Sequence, residues 1–116
     1  LSGMGDGSVD FSCGELETIV RYRLPVKMFV FSNKTFGWIK AGQNSGFDKR
    51  FYNVDFGQTD HAAVASAFGV KSWRANKPSE LSSIIAQALS HDGPALVDII
   101  SQPLHEASAP VSEWVA

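Results

Sequence analysis

Apolar residues fall along this chain in two distinct patterns. Residues 26–31, Val-Lys-Met-Phe-Val-Phe, form a nearly unbroken apolar run of β-prone side chains. Such a run predicts a central parallel strand buried on both faces. Residues 94–100, Pro-Ala-Leu-Val-Asp-Ile-Ile, repeat the pattern near the C-terminus. Elsewhere the spacing is helical. Leu16, Ile19 and Val20 recur at i, i+3, i+4 and predict a helix over residues 14–23, which Pro25 cannot continue. A short helix is expected over residues 35–43. Asp60 is placed to cap a helix running to Phe68 and ending at Gly69. Lys71–Ala75 reads as a short strand. Pro78 opens a last helix with an apolar stripe of Leu81, Ile84, Ile85, Ala88 and Leu89, closed by His91-Asp92-Gly93. Strands alternate with helices, so the predicted fold is α/β, a parallel sheet flanked by helices. Residues 26–31 should be central, with 94–100 beside or near them.

The remaining segments lack periodicity. Residues 1–8 read as a strand remnant followed by a tight, Gly-rich turn. Residues 43–58 mix Gly, Asn, Ser and charges with aromatics. They read either as a loop bordering an active site or as a surface loop pinned by Phe51, Tyr52 and Phe56. The tail from Gln102 is polar and Pro-containing, with Trp114 expected to pack back.

Composition narrows the class without naming a chemistry. A chain of 116 residues supports one domain with a modest core. At 44% hydrophobic and 19% charged it is globular rather than disordered. A net charge of −2 with scattered Lys and Arg gives no reason to expect nucleic acid. No apolar run approaches the ~20 residues that span a bilayer, and residues 1–7 are not a signal peptide. Cys13 is the single cysteine, which excludes an internal disulfide and fits a reducing, cytoplasmic setting.

The candidate chemistry lies in Gly5-Asp6-Gly7-Ser8 and in Asn33. The intervening helix and buried strand can return the chain to the same edge of a parallel sheet, where open α/β folds bind ligands. Asp6 and Asn33 would then offer oxygen atoms beside a Gly-rich turn whose N–H groups face outward. That combination suits a hard divalent cation holding a diphosphate. An Asp-Gly turn and a simple cap are the bland readings of the same two residues. A calcium loop is a rival, since Asp6, Ser8, Asp10 and Glu17 match EF-hand positions 1, 3, 5 and 12, but Phe11 stands where the loop needs glycine. A P-loop is excluded, because no Gly-Lys-Ser/Thr follows the glycines. Glu15 and Glu17 read as first-turn helix acids. Cys13 reads as a small buried residue, since no neighbouring base would activate it. His61, His91 and His105 read as surface or capping residues, too widely spaced for a metal motif.

Gly5-Asp6-Gly7-Ser8, residues 14–22 (GELETIVRY), the LPVK lead-in to the strand, Asn33, FGVKSW and GPALVDI together resemble the C-terminal, diphosphate-binding domain of thiamine-diphosphate-dependent enzymes. The similarity is to the acetolactate synthase, pyruvate oxidase and decarboxylase-like family, and it covers nearly the whole chain. One departure is Ser32, where the family often has a first of two asparagines. The resemblance implies Mg2+ and thiamine diphosphate as cofactors, with Asp6, Asn33 and the Thr35 carbonyl as metal ligands. It places Gly5, Gly7 and Ser8 at the diphosphate and Gly3 and Met4 toward the aminopyrimidine. Phe36, Gly37 and Trp38 would border the thiazolium and substrate. For Trp38, plain core packing is the competing reading.

The implied activity is carbon–carbon bond making or breaking beside a carbonyl: decarboxylation of a 2-keto acid, acetolactate synthase-like carboligation, or acyl transfer. Enzymes of this kind are several times longer, so residues 1–116 are expected to be one binding domain lacking its first strand and helix. A missing strand would leave an edge or groove open to another chain, hence an expected homo-oligomer. The glutamate that activates the aminopyrimidine would lie on a separate pyrimidine-binding domain, and no residue here matches its motif. The alternative is an isolated, non-catalytic domain that binds Mg2+-diphosphate weakly or not at all.

Overall fold

The computed structural model describes residues 1–103 and Glu106. In chain order the elements are β1 (Ser2–Gly5), α1 (Asp6–Ser12), α2 (Glu15–Arg21), β2 (Lys27–Ser32), α3 (Gly37–Gly46), α4 (His61–Ala67), β3 (Lys71–Ala75), α5 (Pro78–Ser90) and β4 (Ala95–Ile100). The four strands form one wholly parallel sheet in the order β1-β2-β4-β3. The two apolar runs therefore lie side by side, with Met28 opposite Leu96 and Val30 opposite Asp98. Residues 104, 105 and 107–116 fall outside the description, and with them the expected packing of Trp114 and the placing of His105.

Alternation along β2 and β4 makes two cores. On one face Met28, Val30 and Leu96 pack against Val9 of α1, Leu16 of α2, Ala65 of α4 and Val70. On the other, Phe29, Ala95 and Val97 pack against Ala88 of α5, with Trp73, Ile84 and Ile85 around them. Asp60 caps α4 by accepting a hydrogen bond from the Ala63 amide at 2.9 Å, and Gly69 takes the left-handed φ of 93° that ends it.

The strand remnant expected in residues 1–8 is Ser2–Gly5, which pairs along its length with Met28–Phe31. It forms an edge of the sheet. Several other expectations need correction. Residues 6–12 are a helix rather than the end of a turn, so Gly7 and Ser8 lie inside its first turn. Seven residues rich in Gly, Ser and Asp carry no helical period; burial of Val9 against the sheet supplies what propensity does not. The helix expected over 35–43 is shifted to 37–46, because Thr35 and Phe36 are taken up in a bridge to residues 54–55. Phe31 and Leu89, both expected inside, are half exposed. The 47–60 loop is anchored by Val54, which is 3% exposed, rather than by Phe51 and Tyr52, which face solvent. Phe56 does pack, edge-on to Phe36 at 5.0 Å between ring centroids.

Candidate functional site

β1 and β2 are neighbours and parallel, so their C-terminal ends release the chain at the same edge of the sheet. Asp6 follows β1 directly, and Asn33 follows β2. Asp6 is 4% exposed, yet its carboxylate is fully engaged with backbone donors. Oδ2 accepts from the Asn33 and Lys34 amides, each at 2.8 Å, and Oδ1 accepts from the Gly7 amide at 2.9 Å. A buried carboxylate without partners would cost several kcal/mol; three amides remove that cost and fix its orientation. The same two bonds hold Lys34 in the left-handed region at φ 63°, a conformation that costs an ordinary residue about 1 kcal/mol. The turn after β2 is thus wrapped around Asp6.

Asn33 turns its side chain onto its own loop, where Oδ1 accepts from the Thr35 amide at 3.1 Å. Thr35 is buried, and its hydroxyl donates to the Val54 carbonyl at 2.8 Å. Phe36 donates its amide to Val54, and Phe56 donates its own to Lys34. These bonds tie the 47–60 loop to the turn that follows β2.

Above Asp6 opens a groove of about 590 Å3 lined by Gly5, Asp6, Gly7, Ser8, Asn33, Thr35, Phe36, Gly37 and Trp38. Phe11, Ile39 and Gln102 complete it. Nine of the eleven residues singled out in the sequence therefore meet in one place. Gly3 and Met4 do not line it; Met4 packs its side chain against the Val9–Leu96 core. Trp38 is 57% exposed on the groove wall rather than a core residue. A Cβ on Gly7 would sit 2.6 Å from Cε1 of Phe36, so the absence of a side chain there lets the Phe36 ring close down on α1. Phe11 and Ile39 carry no signal in the sequence, because α1 has no helical period and α3 begins two residues later than its pattern predicts.

The donor set decides what the groove can hold. Among the described residues no three His, Cys, Asp or Glu side chains gather around one point. A cation here would have one carboxylate, neutral oxygens and whatever its ligand brings. Each oxygen of Asp6 and Asn33 has two lone pairs, so Asp6 Oδ1 and Asn33 Oδ1 keep one each for a metal. An all-oxygen, incomplete shell fits Mg2+, which retains phosphate and water ligands. The Ser8 amide lies in the first turn of α1, where no acceptor exists within the helix, and it borders the groove. The Gly7 amide is occupied by Asp6.

A second polar cluster lies beneath this site, and His61 is at its centre. Where its sequence context predicts a surface or capping residue, His61 is 3% exposed. Its Nδ1 lies 3.2 Å from Ser32 Oγ and its Nε2 lies 3.1 Å from Asp10 Oδ1. Ser32 Oγ donates to Asp98 Oδ1 at 2.5 Å. Asp98, wholly buried, also faces Arg74, with Nε 3.7 Å from Oδ2, and Arg74 reaches Asp60 at 2.8 Å. Arg74 Nε and Asp98 Oδ2 have no hydrogen-bond partner, so their contact is an ion pair without a direct bond. The Ala63 amide bond, with help from Arg74, holds the Asp60 carboxyl below its ordinary value, against an opposing effect of burial. Serine, histidine and aspartate together suggest a nucleophilic triad, but Ser32 is 4% exposed and no substrate reaches it. His91, by contrast, does cap α5.

Comparison with known proteins identifies the family of the chain. The family model of the thiamine pyrophosphate enzyme C-terminal TPP-binding domain matches residues 1–99. A probable acetolactate synthase large subunit from Methanococcus aeolicus is 35% identical over 100 residues, 85% of this chain and 17% of that protein. Pyruvate oxidase from Lactiplantibacillus plantarum is 32% identical over 98 residues, 83% of this chain and 16% of that protein. The crystal structure of benzoylformate decarboxylase from Polynucleobacter necessarius superimposes with a TM-score of 0.79 at 27% identity, covering 87% of this chain and 19% of that one. The chain thus spans about one-sixth of the length of the relatives it matches, 17% of the first.

Proposed function

The chain belongs to the family of C-terminal thiamine-diphosphate-binding domains of thiamine-diphosphate enzymes, and we propose that it supplies the metal and diphosphate half of such a cofactor site. In this reading Asp6 is the anionic ligand of Mg2+, Asn33 contributes its side-chain oxygen, and Thr35 its carbonyl. Ser8, with Gly5 and Gly7 beside it, receives the diphosphate. Phe36, Gly37 and Trp38 wall the thiazolium and the substrate. The observation that carries the proposal is the wrapping of the Asn33-Lys34 turn around a buried Asp6 at the mouth of a groove of about 590 Å3. Bound there, thiamine diphosphate would supply carbanion-stabilising chemistry on a 2-keto acid or related carbonyl substrate. The chain's own part is to bind, orient and shield.

Decarboxylation, carboligation or acyl transfer belongs to the longer protein in this reading. Its pyrimidine-binding domain, in a homo-oligomer, brings the activating acid. No helix among the described residues is long and apolar enough to cross a membrane, and a cytoplasmic setting is part of the proposal. Calorimetric titration of Mg2+ and thiamine diphosphate into the complete enzyme tests the site. Asp6→Ala should weaken binding at least about tenfold, or 1.4 kcal/mol; unchanged metal-dependent affinity sinks the assignment. The 116-residue chain alone should release no carbon dioxide from pyruvate at saturating cofactor.

A further inference from the structure

α1 and β2 carry the two halves of the proposed metal site, and one buried side chain from a third element ties them together. Asp10 lies one turn beyond Asp6 on α1, at i+4, hence on the same face of the helix. Ser32 is the residue immediately before Asn33. His61, at the start of α4, spans them, with Nδ1 at 3.2 Å from Ser32 Oγ and Nε2 at 3.1 Å from Asp10 Oδ1. Behind Ser32, Asp98 on β4 accepts its hydroxyl at 2.5 Å. We propose that His61 is a positioning residue for the cofactor site: through Ser32 and Asp10 it sets the spacing between β2 and α1 at which the Asp6 carboxylate captures the Asn33 and Lys34 amides. Ser32 is the shared member of the cluster, its short hydroxyl meeting both His61 and Asp98. The role rests on the site reading above. It concerns residues outside the groove, for neither His61, Ser32 nor Asp10 lines it.

The decisive variant is Asp10→Ala. Asp10 is exposed and belongs to neither core, and alanine favours a helix. Removing a negative charge beside an anion site should, by charge alone, tighten diphosphate binding. The positioning role requires the reverse. Amide hydrogen exchange on the 116-residue chain should show Asn33 and Lys34 exchanging about fivefold faster, the scale of one lost hydrogen bond, while Val30 and Val97 in the sheet stay unchanged. Affinity for inorganic diphosphate with Mg2+ should fall by a similar factor. With Asp10 in place, His61→Gln, whose amide reaches the place of Nε2 and so keeps the link to Asp10, should retain part of the amide protection and of the affinity, whereas His61→Ala should lose both. Unchanged Asn33 and Lys34 exchange, or a uniform rise across all amides, overturns the proposal. So does faster exchange at those two amides with undiminished diphosphate affinity, if Asp6→Ala still abolishes binding; the site reading then stands without the clamp. Binding that survives Asp6→Ala removes the site reading itself.

Discussion

The two faces of the sheet solve the same packing problem to different degrees. The face bearing Met28, Val30 and Leu96 is covered by α1, α2 and α4. It also encloses Ser32, His61 and Asp98, all nearly or wholly inaccessible. The opposite face is covered by α5 over β3 and β4, while over β1 and β2 the Phe31 ring lies near Gly3 and is 48% exposed. The complete face is the one that holds α1 against the end of β2, and so it is the face that builds the candidate site. Burial and hydrogen bonds are concentrated where Asp6 meets the Asn33-Lys34 turn. Ser32 and His61 on that side are hydrogen-bonded, since burying them unpaired would cost more than the packing returns; Arg74 Nε and Asp98 Oδ2 face each other as an ion pair only.

Substitutions should separate the two faces. The largest effect is expected at Leu96, 1% exposed in the complete face. Leu96→Ala should lower unfolding free energy by about 3 kcal/mol in denaturant titration; a loss under about 1 kcal/mol would mean that this face is loosely packed. Next comes Asp98. Asp98→Ala strips the acceptor from Ser32 and the counter-charge from Arg74, for a loss of about 2 kcal/mol. Asp98→Asn keeps an acceptor and should cost less, so equal losses would assign the whole effect to charge. On the incomplete face, Phe31→Ser should cost only about 1 kcal/mol, since roughly half the ring is already in water. A loss matching that of Leu96→Ala would show that something covers Phe31 in solution.

The smallest effect is electrostatic, at the rim where α4 begins. Asp60 has its folded-state carboxyl lowered, first by the Ala63 amide and then by Arg74. A lowered acid stabilises the fold at pH above its unfolded value and loses that contribution as pH falls through its folded value. Asp60→Ala should therefore narrow the gap between stability at neutral pH and stability in acid. Because the carboxylate is largely in solvent, screening keeps this contribution small. A pH profile identical to the wild type below the ordinary carboxylate range would contradict it.

Much of this was legible in the residues. Period and punctuation marked β2, β3, β4, α2, α4 and α5, since apolar runs, Asp60, Gly69 and Pro78 act locally. The family motif brought Asp6 and Asn33 forward, and a βαβ-like path accounts for their meeting. What stayed hidden was whatever depends on neighbours. α1 has no apolar period and exists because Val9 finds the sheet. His61 reads as a solvent residue in sequence, and only the packing of α4 over β3 and β4 encloses it. Asp98 sits in an apolar run, where nothing in sequence announces that Ser32 and Arg74 will face it.

By itself, then, the sequence determined the parallel α/β plan, the central place of residues 26–31 and the residues that converge at the sheet edge. These follow from short-range rules: side-chain period, fixed proline and glycine geometry, and a motif whose spacing matches a strand–helix–strand path. The tertiary structure alone decided the groove and its outer wall of Phe11, Ile39 and Gln102. It also decided the wrapping of Lys34 around Asp6 and the chain of contacts from Asp10 through His61 to Arg74. Those depend on residues tens of positions apart arriving within hydrogen-bond distance, and a buried polar group is stable only where such a partner arrives.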